Sequence, residues 1–156
     1  MLLLMEHNGG PGSGVTDTVL KGGVLHDTLE DNPEEVTVEI LGERFGNTVA
    51  TIVSNVTLDP ENNDKGLSRK HILSCDGATR IVKVADILSN TLELTKEIAR
   101  FGVTHVQQFF SQPFLERIEM ESAFLKDVGL GCESFPGLMH IRTRAVHAVH
   151  HLRTSL

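Results

Sequence analysis

The chain has no tryptophan and no tyrosine, and aromatic residues make up only 4% of its 156 residues. A core must therefore be assembled from Leu, Val and Ile with the seven Phe. Cysteine is nearly absent as well. Cys75 and Cys132 stand far apart, which excludes a disulfide framework and a zinc-finger spacing. Two ordinary thiols point to a reducing compartment, and a cytoplasmic protein is expected. Basic residues are in deficit, 14 against 21 acidic ones, for a formal net charge of −7. That balance excludes a general nucleic-acid binder, which would carry a basic stripe. It leaves phosphorylated small molecules open, because a bound cation can reverse the local field. Long apolar runs are missing too: the opening Met-Leu-Leu-Leu-Met is short and has no basic leader, and nothing reaches the ~18 apolar residues of a membrane span. Neither a membrane segment nor an export signal is expected.

What remains suits one soluble domain with a sizeable core: 40% of residues are hydrophobic and 22% charged. Residues 8–14, Asn-Gly-Gly-Pro-Gly-Ser-Gly, are turn-formers with little to bury and read as a flexible loop. They lack the lysine-plus-hydroxyl ending of a phosphate-binding loop.

The rest of the chain reads as helix. Thr16 or Asp17 can cap a helix running through Val19, Leu20, Val24 and Leu25, in which Gly22 and Gly23 lower propensity but permit a neighbour to pack closely. Asn32-Pro33 breaks the chain. Thr37 can cap a short helix that Gly46 is placed to stop. Asn47 can cap the next, Thr48 to about Leu58, where Val49, Ile52, Val53 and Val56 follow a helical rather than an alternating period. Residues 59–70 look like an exposed polar loop. The plainest amphipathic pattern is Ala78 to about Leu94, with Ala78, Ile81, Val82, Ala85, Leu88 and Leu92 on one stripe and Asp86 just beside it. Further helical patterns cover roughly 104–126, with a break at Pro113, and 137–153. No run of strands and no repeat is visible. The expected fold is all-α, with six or seven helices.

Chemistry concentrates in residues 26–31, His-Asp-Thr-Leu-Glu-Asp. His26 and Asp27 offer an imidazole and a carboxylate side by side, Glu30 and Asp31 follow one turn later, and Val24, Leu25 and Leu29 hold the group between apolar residues. The combination suggests a metal-centred hydrolytic site, although an acidic cluster favouring a helix N-terminus has the same composition. If the turn stays helical, Asp31 shares a face with Asp27 and Glu30 with His26. Downstream, Asp86 and Asn90 lie four apart, so one turn can present both.

Leu25-His26-Asp27-Thr28-Leu29-Glu30-Asp31, followed by Lys83, Ala85, Asp86 and Asn90 in that order, resembles the HD-domain phosphohydrolases, and more narrowly the hydrolase domain of the RelA/SpoT group and its small stand-alone relatives. Phe45-Gly46 and Val53-x-x-Val56-Thr57 fit the same pattern, and the resemblance covers about residues 15–94. It implies an HD-type helical bundle over residues 15–156 behind a flexible or truncated segment, residues 1–14. It implies that His26, Asp27 and Asp86 are metal ligands, with manganese the usual ion, that Glu30 and Asp31 orient or activate the attacking water, and that Asn90 contacts the nucleotide. Lys83 stands in the motif as a further candidate substrate contact. The implied reaction removes pyrophosphate from the 3′ position of guanosine tetra- or pentaphosphate. Imidazole and carboxylate donors suit manganese, with zinc or iron as other divalent candidates. A cation so held can polarise phosphate oxygens and acidify a bound water.

The family pattern departs from this chain at one place. It has a further histidine some two dozen residues before the His-Asp doublet, a distance that falls at or before Met1; His7 is the sole upstream histidine. Fewer ligands weaken metal binding. The alternative reading is therefore a catalytically impaired HD-like module that binds nucleotide or regulates, and a weaker one is an HD enzyme acting on another phosphorylated nucleotide, such as a nicotinamide dinucleotide phosphate.

Two more clusters draw attention. His140, His147 and His151 share a helical face with His150 nearby, but Arg142, Arg144 and Arg153 are interleaved and disfavour a cation. A solvated basic face is expected, available to a phosphate or to a second subunit of a homo-oligomer. Lys65, Arg69, Lys70 and His71 are expected in the polar loop, where their cations could meet substrate phosphates.

Overall fold

The computed structural model describes residues 14–57, 65–131 and 135–156, and of residues 65–68 the backbone alone. His7, Cys132, most of the glycine-rich run, the first half of the expected polar loop and the Lys65 side chain lie outside what is described. The described residues are all-α, as the sequence predicts. They form nine helical segments: α1 (Asp17–Leu25), α2 (Thr28–Asp31), α3 (Val38–Phe45), α4 (Asn47–Val56), α5 (Lys65–Ser74), α6 (Gly77–Phe101), α7 (Val103–Gln107), α8 (Phe114–Asp127) and α9 (Pro136–Ser155). The number exceeds six or seven because α2 and α7, of four and five residues, are too short to leave a period in the sequence.

Local chemistry sets the helix starts. The Thr16 hydroxyl accepts from the Val19 amide, Thr37 from the Ile40 amide, and the Asp76 carboxylate from the Thr79 amide at 2.9 Å. Each satisfies one of the amides that a first helical turn leaves without a partner. Gly46 ends α3 at φ +93°, a conformation that residues with a Cβ adopt rarely. Gly46 also caps α4, so Asn47 is the first residue of that helix rather than its cap.

Two expectations are corrected. The segment predicted as a polar loop becomes helical from Lys65, because Ile72 is fully buried and Leu73 packs against the same core. The long helix α6 runs on to Phe101, since Leu94 and Ile98 continue its buried positions past the predicted end. Val84 and Ile87 are buried as well as Ile81, Val82 and Leu88, so α6 is enclosed on more than one side, while Leu92 of the expected stripe is largely exposed. α6 is the axis of the molecule. It packs most extensively against α9 and also touches α1, α4, α5 and α7.

The apolar interior falls into two bodies. The larger is built on α6, with Leu138, Ile141 and Leu152 of α9 and Ile118 and Leu125 of α8. The smaller comprises Leu41, Val49, Ala50 and Val53, with Leu25, Leu29 and Val36 partly buried against it. Gly22 lets α1 close onto the larger body: a Cβ there would stand 2.8 Å from Ile52 Cγ2 and 3.6 Å from Val82 Cγ2, both residues of that cluster. Only a residue without a side chain lets α1 approach α4 and α6 this closely, which is the use the sequence suggests for the glycine pair. Arg80, in the first turn of α6, spans to the carbonyls of Leu73, Cys75, Val128 and Leu130, tying the end of α5 to the segment after α8.

Candidate functional site

The close approach at Gly22 sets the end of α1 against the middle of α6. One turn beyond Gly22, the helix ends at His26, and Asp27 opens α2. Leu25 and Leu29 anchor this turn on the smaller core, whereas Val24 points outward, contrary to the expectation that it helps hold the polar group. The Thr28 hydroxyl donates to the Leu25 carbonyl at 2.7 Å and fastens the turn further.

His26 and Asp86, sixty positions apart, meet. His26 Nε2 lies 3.0 Å from Asp27 Oδ2 and 3.5 Å from Asp86 Oδ1. On the other side of the ring, Nδ1 is 3.1 Å from the Gly23 carbonyl. A carbonyl can only accept, so Nδ1 carries the proton and donates. In the neutral ring this leaves the Nε2 lone pair facing the two carboxylates, the arrangement by which a backbone acceptor fixes a ligating histidine's tautomer. Gly23 is a participant that sequence reasoning missed: a backbone carbonyl leaves no residue-type signal.

Asp86 is the hub. Besides His26, its Oδ1 accepts from Asn90 Nδ2 at 2.7 Å and its Oδ2 from Lys83 Nζ at 2.9 Å. The three contacts follow from helix spacing, Lys83 and Asn90 lying one turn either side of Asp86 on α6. Burial would push the Asp86 carboxyl up, but the His26 hydrogen bond and the Lys83 charge outweigh it and hold Asp86 well below the usual carboxylate range. The Asp86 hydrogen bond, against burial and with help from the Asp27 charge, raises His26 above its ordinary value. Partial burial and the neighbouring Asp86, Glu30 and Asp31 charges raise Asp27 despite the opposing pull of His26. These directions describe a pocket with surplus negative charge that favours a positive group between its acids.

Gly23, His26, Asp27, Val82, Ala85, Asp86, Ser89 and Asn90 enclose a cavity of about 230 Å³. Five of the seven residues singled out in the sequence are thus together here, counting Lys83 through its ion pair with Asp86. Glu30 and Asp31 are not in the lining. Their amides bond back to the Asp27 carbonyl at 3.0 and 2.8 Å, so they sit one turn on at exposed positions and act on Asp27 through their charge.

The donor set can be tested against a divalent cation. Donors on one ion at ~2.0–2.2 Å are spaced roughly 3.0–3.4 Å apart in octahedral or tetrahedral shells. The 3.0 and 3.5 Å separations from Nε2 match such edges, and imidazole with carboxylates is a suitable mixture. Among the described residues no group of three or more His, Cys, Asp or Glu stands arranged so that it could hold a metal ion. The fit is therefore of paired donors on an open pocket.

A second, larger cavity of about 640 Å³ adjoins the first through Asn90, which lines both. Leu94, Phe101, Val106 and Phe110 contribute apolar wall to it. It is assembled from α6, α7 and α8 and the α7–α8 turn, and carries no sequence motif. The other clusters do not form sites. His140, His147, His150 and His151 all stand at exposed positions of α9. Arg69 and Lys70 lie on α5 rather than in a loop, and His71 there pairs with Asn55. Cys75 is a free thiol whose pKa burial pushes up, as expected of an unreactive cysteine.

A helical bundle that sets a His-Asp doublet at one helix end against an aspartate in the middle of another has the layout expected of an HD-type domain. Curated proteins agree with that class. The chain is similar to the guanosine-3′,5′-bis(diphosphate) 3′-pyrophosphohydrolase MESH1 of Xenopus tropicalis, with 37% identity over 112 residues covering 69% of this chain and 59% of the relative. It is likewise similar to the protein of the same name from Danio rerio, 35% identical over 101 residues covering 62% and 55%. The resemblance read from the two motifs is borne out by these relatives, and the chain spans somewhat over half of their length. No family model matches the chain.

Proposed function

We propose that this protein is a divalent-metal-dependent phosphohydrolase that removes the 3′-pyrophosphate of guanosine 3′,5′-bis(diphosphate). The observation that carries this reading is the approach of His26 Nε2 to both Asp27 and Asp86 from separate parts of the chain. Similarity to two pyrophosphohydrolases named for that substrate supports it. His26, Asp27 and Asp86 would hold the cation, with Mn²⁺ the first choice. When bound it would supply charge to the phosphate oxygens and a more acidic water.

The chain's own groups do the remaining work. Gly23 holds the imidazole in the tautomer that can ligate. Lys83 and Asn90 keep Asp86 ionised and in place, Asn90 also meets the nucleotide from the cavity lining, and Lys83 is a further substrate contact. Glu30 or Asp31, one turn beyond Asp27, takes the proton of the attacking water. The nucleoside half lies in the apolar cavity beyond Asn90. A reduced, cytoplasmic setting suits the unpaired Cys75 and a nucleotide substrate.

The test is release of pyrophosphate from guanosine 3′,5′-bis(diphosphate) by the full chain supplied with Mn²⁺. Turnover should stop with a chelator and fall by more than about 100-fold in Asp86→Ala, beyond what loss of a merely supporting residue does. Orthophosphate in place of pyrophosphate would indicate a different phosphorylated nucleotide. Absence of turnover and of metal uptake would leave a nucleotide-binding or regulatory module, and full turnover in Asp86→Ala would refute the site.

A further inference from the structure

Charge is divided unevenly along the chain. From Asp27 to Glu43 there are seven carboxylates and no lysine or arginine. All seven are exposed, on α2, on α3 and on the turns beside them. From Pro136 to Ser155 the balance is reversed: α9 carries three arginines, four histidines and no acid. The two stretches belong to different parts of the bundle. α3 packs on α4, whereas α9 packs on α6 and α8.

Each stretch presents a shaped surface. Glu39 and Glu43, one turn apart, line a groove of about 450 Å³ between α3 and α4. Its floor is low because Gly42 has no side chain and Ala50 only a methyl. A Cβ on Gly42 would stand 2.9 Å from Asn47 Oδ1, so a larger residue would crowd the groove. Val38, 39% exposed, gives it an apolar wall. On α9, Ile141, Ala145 and Leu152 are buried against the core, which turns His147 and His150 outward. Val146, 40% exposed, His150 and Arg153 follow at one-turn spacing, with His147 beside them. Arg142 does not share this surface, since it donates to the Leu125 and Lys126 carbonyls.

We propose that the outward face of α9 docks into the α3–α4 groove of a second copy of this chain, with Val146 in the groove and His147, His150 and Arg153 against Glu39 and Glu43. The complement is contained in the chain itself: an apolar knob ringed by donors on one face, an apolar floor rimmed by acids on another. An imidazole donates to a carboxylate in either protonation state, and a guanidinium adds a fixed charge. Nucleic acid or an anionic membrane would also meet a basic helix, but a net charge of −7 repels both. The contact is heterologous, one face against a different one. It is also small: α9 has 20 residues and α3 eight, about 30 Å and about 12 Å of helix. That falls short of the ~800 Å² per partner of a stable complex. The association is therefore weak and sensitive to salt, with a Kd on the order of 100 µM. It is independent of the reaction proposed at Asp86.

The experiment is sedimentation equilibrium of the full chain from about 20 µM to about 1 mM, in about 20 mM and about 500 mM salt. In low salt the average mass should climb with concentration above the 17.1 kDa of one chain, and in high salt it should stay there. Two charge-reversed variants follow, Glu39→Lys with Glu43→Lys and His147→Glu with His150→Glu, each checked for helix content by circular dichroism. Either alone should remain monomeric, because its two faces now carry charge of one sign. Mixed in equal amounts they should associate again, since each meets the opposite sign on the other. Glu43→Lys alone, near the end of α3 where a cation suits the helix, should weaken association at least about fivefold and serves if the double variant fails to fold. Monomeric wild type throughout would overturn the inference and leave both faces to other partners. Association undiminished in both charge-reversed variants, or no recovery on mixing them, would overturn it equally.

Discussion

The two halves of the candidate site are held by different kinds of structure. Asp86 sits mid-way along a 25-residue helix enclosed by the larger core, with neighbours above and below on the same helix bonded to its carboxylate. His26 and Asp27 sit on a turn between a nine-residue helix and a four-residue one, leaning on four buried residues and three partly buried ones. The comparison teaches a division of labour. One acid is fixed by the fold as a whole, and the doublet is delivered to it by a small module whose stability is only locally supported. A site divided in this way can keep its rigid acid in register while the His-Asp turn adjusts to what binds.

The same substitution made in both regions sharpens the contrast. Leu88→Ala on α6 should cost about 4–5 kcal/mol in urea unfolding, at the top of the range for a buried leucine, because the surrounding core cannot collapse into the space. Leu41→Ala, equally buried in the smaller cluster, should cost about 2–3 kcal/mol, since neighbours near solvent can relax. Equal losses would dissolve the distinction between the two bodies.

Gly22→Ala acts where α1 meets α4 and α6. The added methyl meets Ile52 Cγ2 at 2.8 Å, so α1 must move off, at a cost of about 1–3 kcal/mol. Because α1 carries His26, this variant should lose affinity for Mn²⁺ out of proportion to its loss of stability, measurable by comparing a metal titration with the unfolding midpoint. Metal affinity unchanged in a folded Gly22→Ala protein would show that α1 does not set the site.

The smallest effect is a pH dependence of the chelator-treated protein. His26 has a folded pKa above its ordinary 6.5, so its pairing contributes stability that is complete below that value and disappears as pH rises through the raised pKa. Asp86 has the opposite sign: its contribution is present above the ordinary carboxylate pKa and is lost as pH falls through the depressed one. Unfolding free energies of wild type and His26→Ala should therefore converge as pH rises from about 6.5 through the raised pKa of His26. Curves that stay parallel across that window would mean the His26 charge is not coupled to folding.

Much of this was legible in the residues. Thr16 and Thr37 announce helix starts because a hydroxyl before an apolar period has few other uses, and Gly46 announces a stop. The two motifs placed His26, Asp27, Asp86, Asn90 and Lys83 together before any coordinates. The helix Lys65–Ser74 was not legible: among its described side chains it buries only Ile72 fully, too little to mark a period among Lys, Arg, Ser and His. The last turns of α6 were missed because burial of Leu94 and Ile98 shifts to a face other than the one that defined the first stripe. The aromatic cavity could not be read at all, since its lining comes from three helices and short connections whose convergence is a property of the bundle.

The central claim is that His26, from the small module, and Asp86, from the long helix, ligate one ion jointly. A thermodynamic cycle on Mn²⁺ binding, followed by electron paramagnetic resonance for wild type, His26→Ala, Asp86→Ala and the double variant, tests it directly. The account predicts about one bound ion in wild type, a severe loss of affinity in each single variant, and little further loss when the two are combined. Wild-type affinity in either folded single variant, or losses that simply add in the double variant, would contradict it.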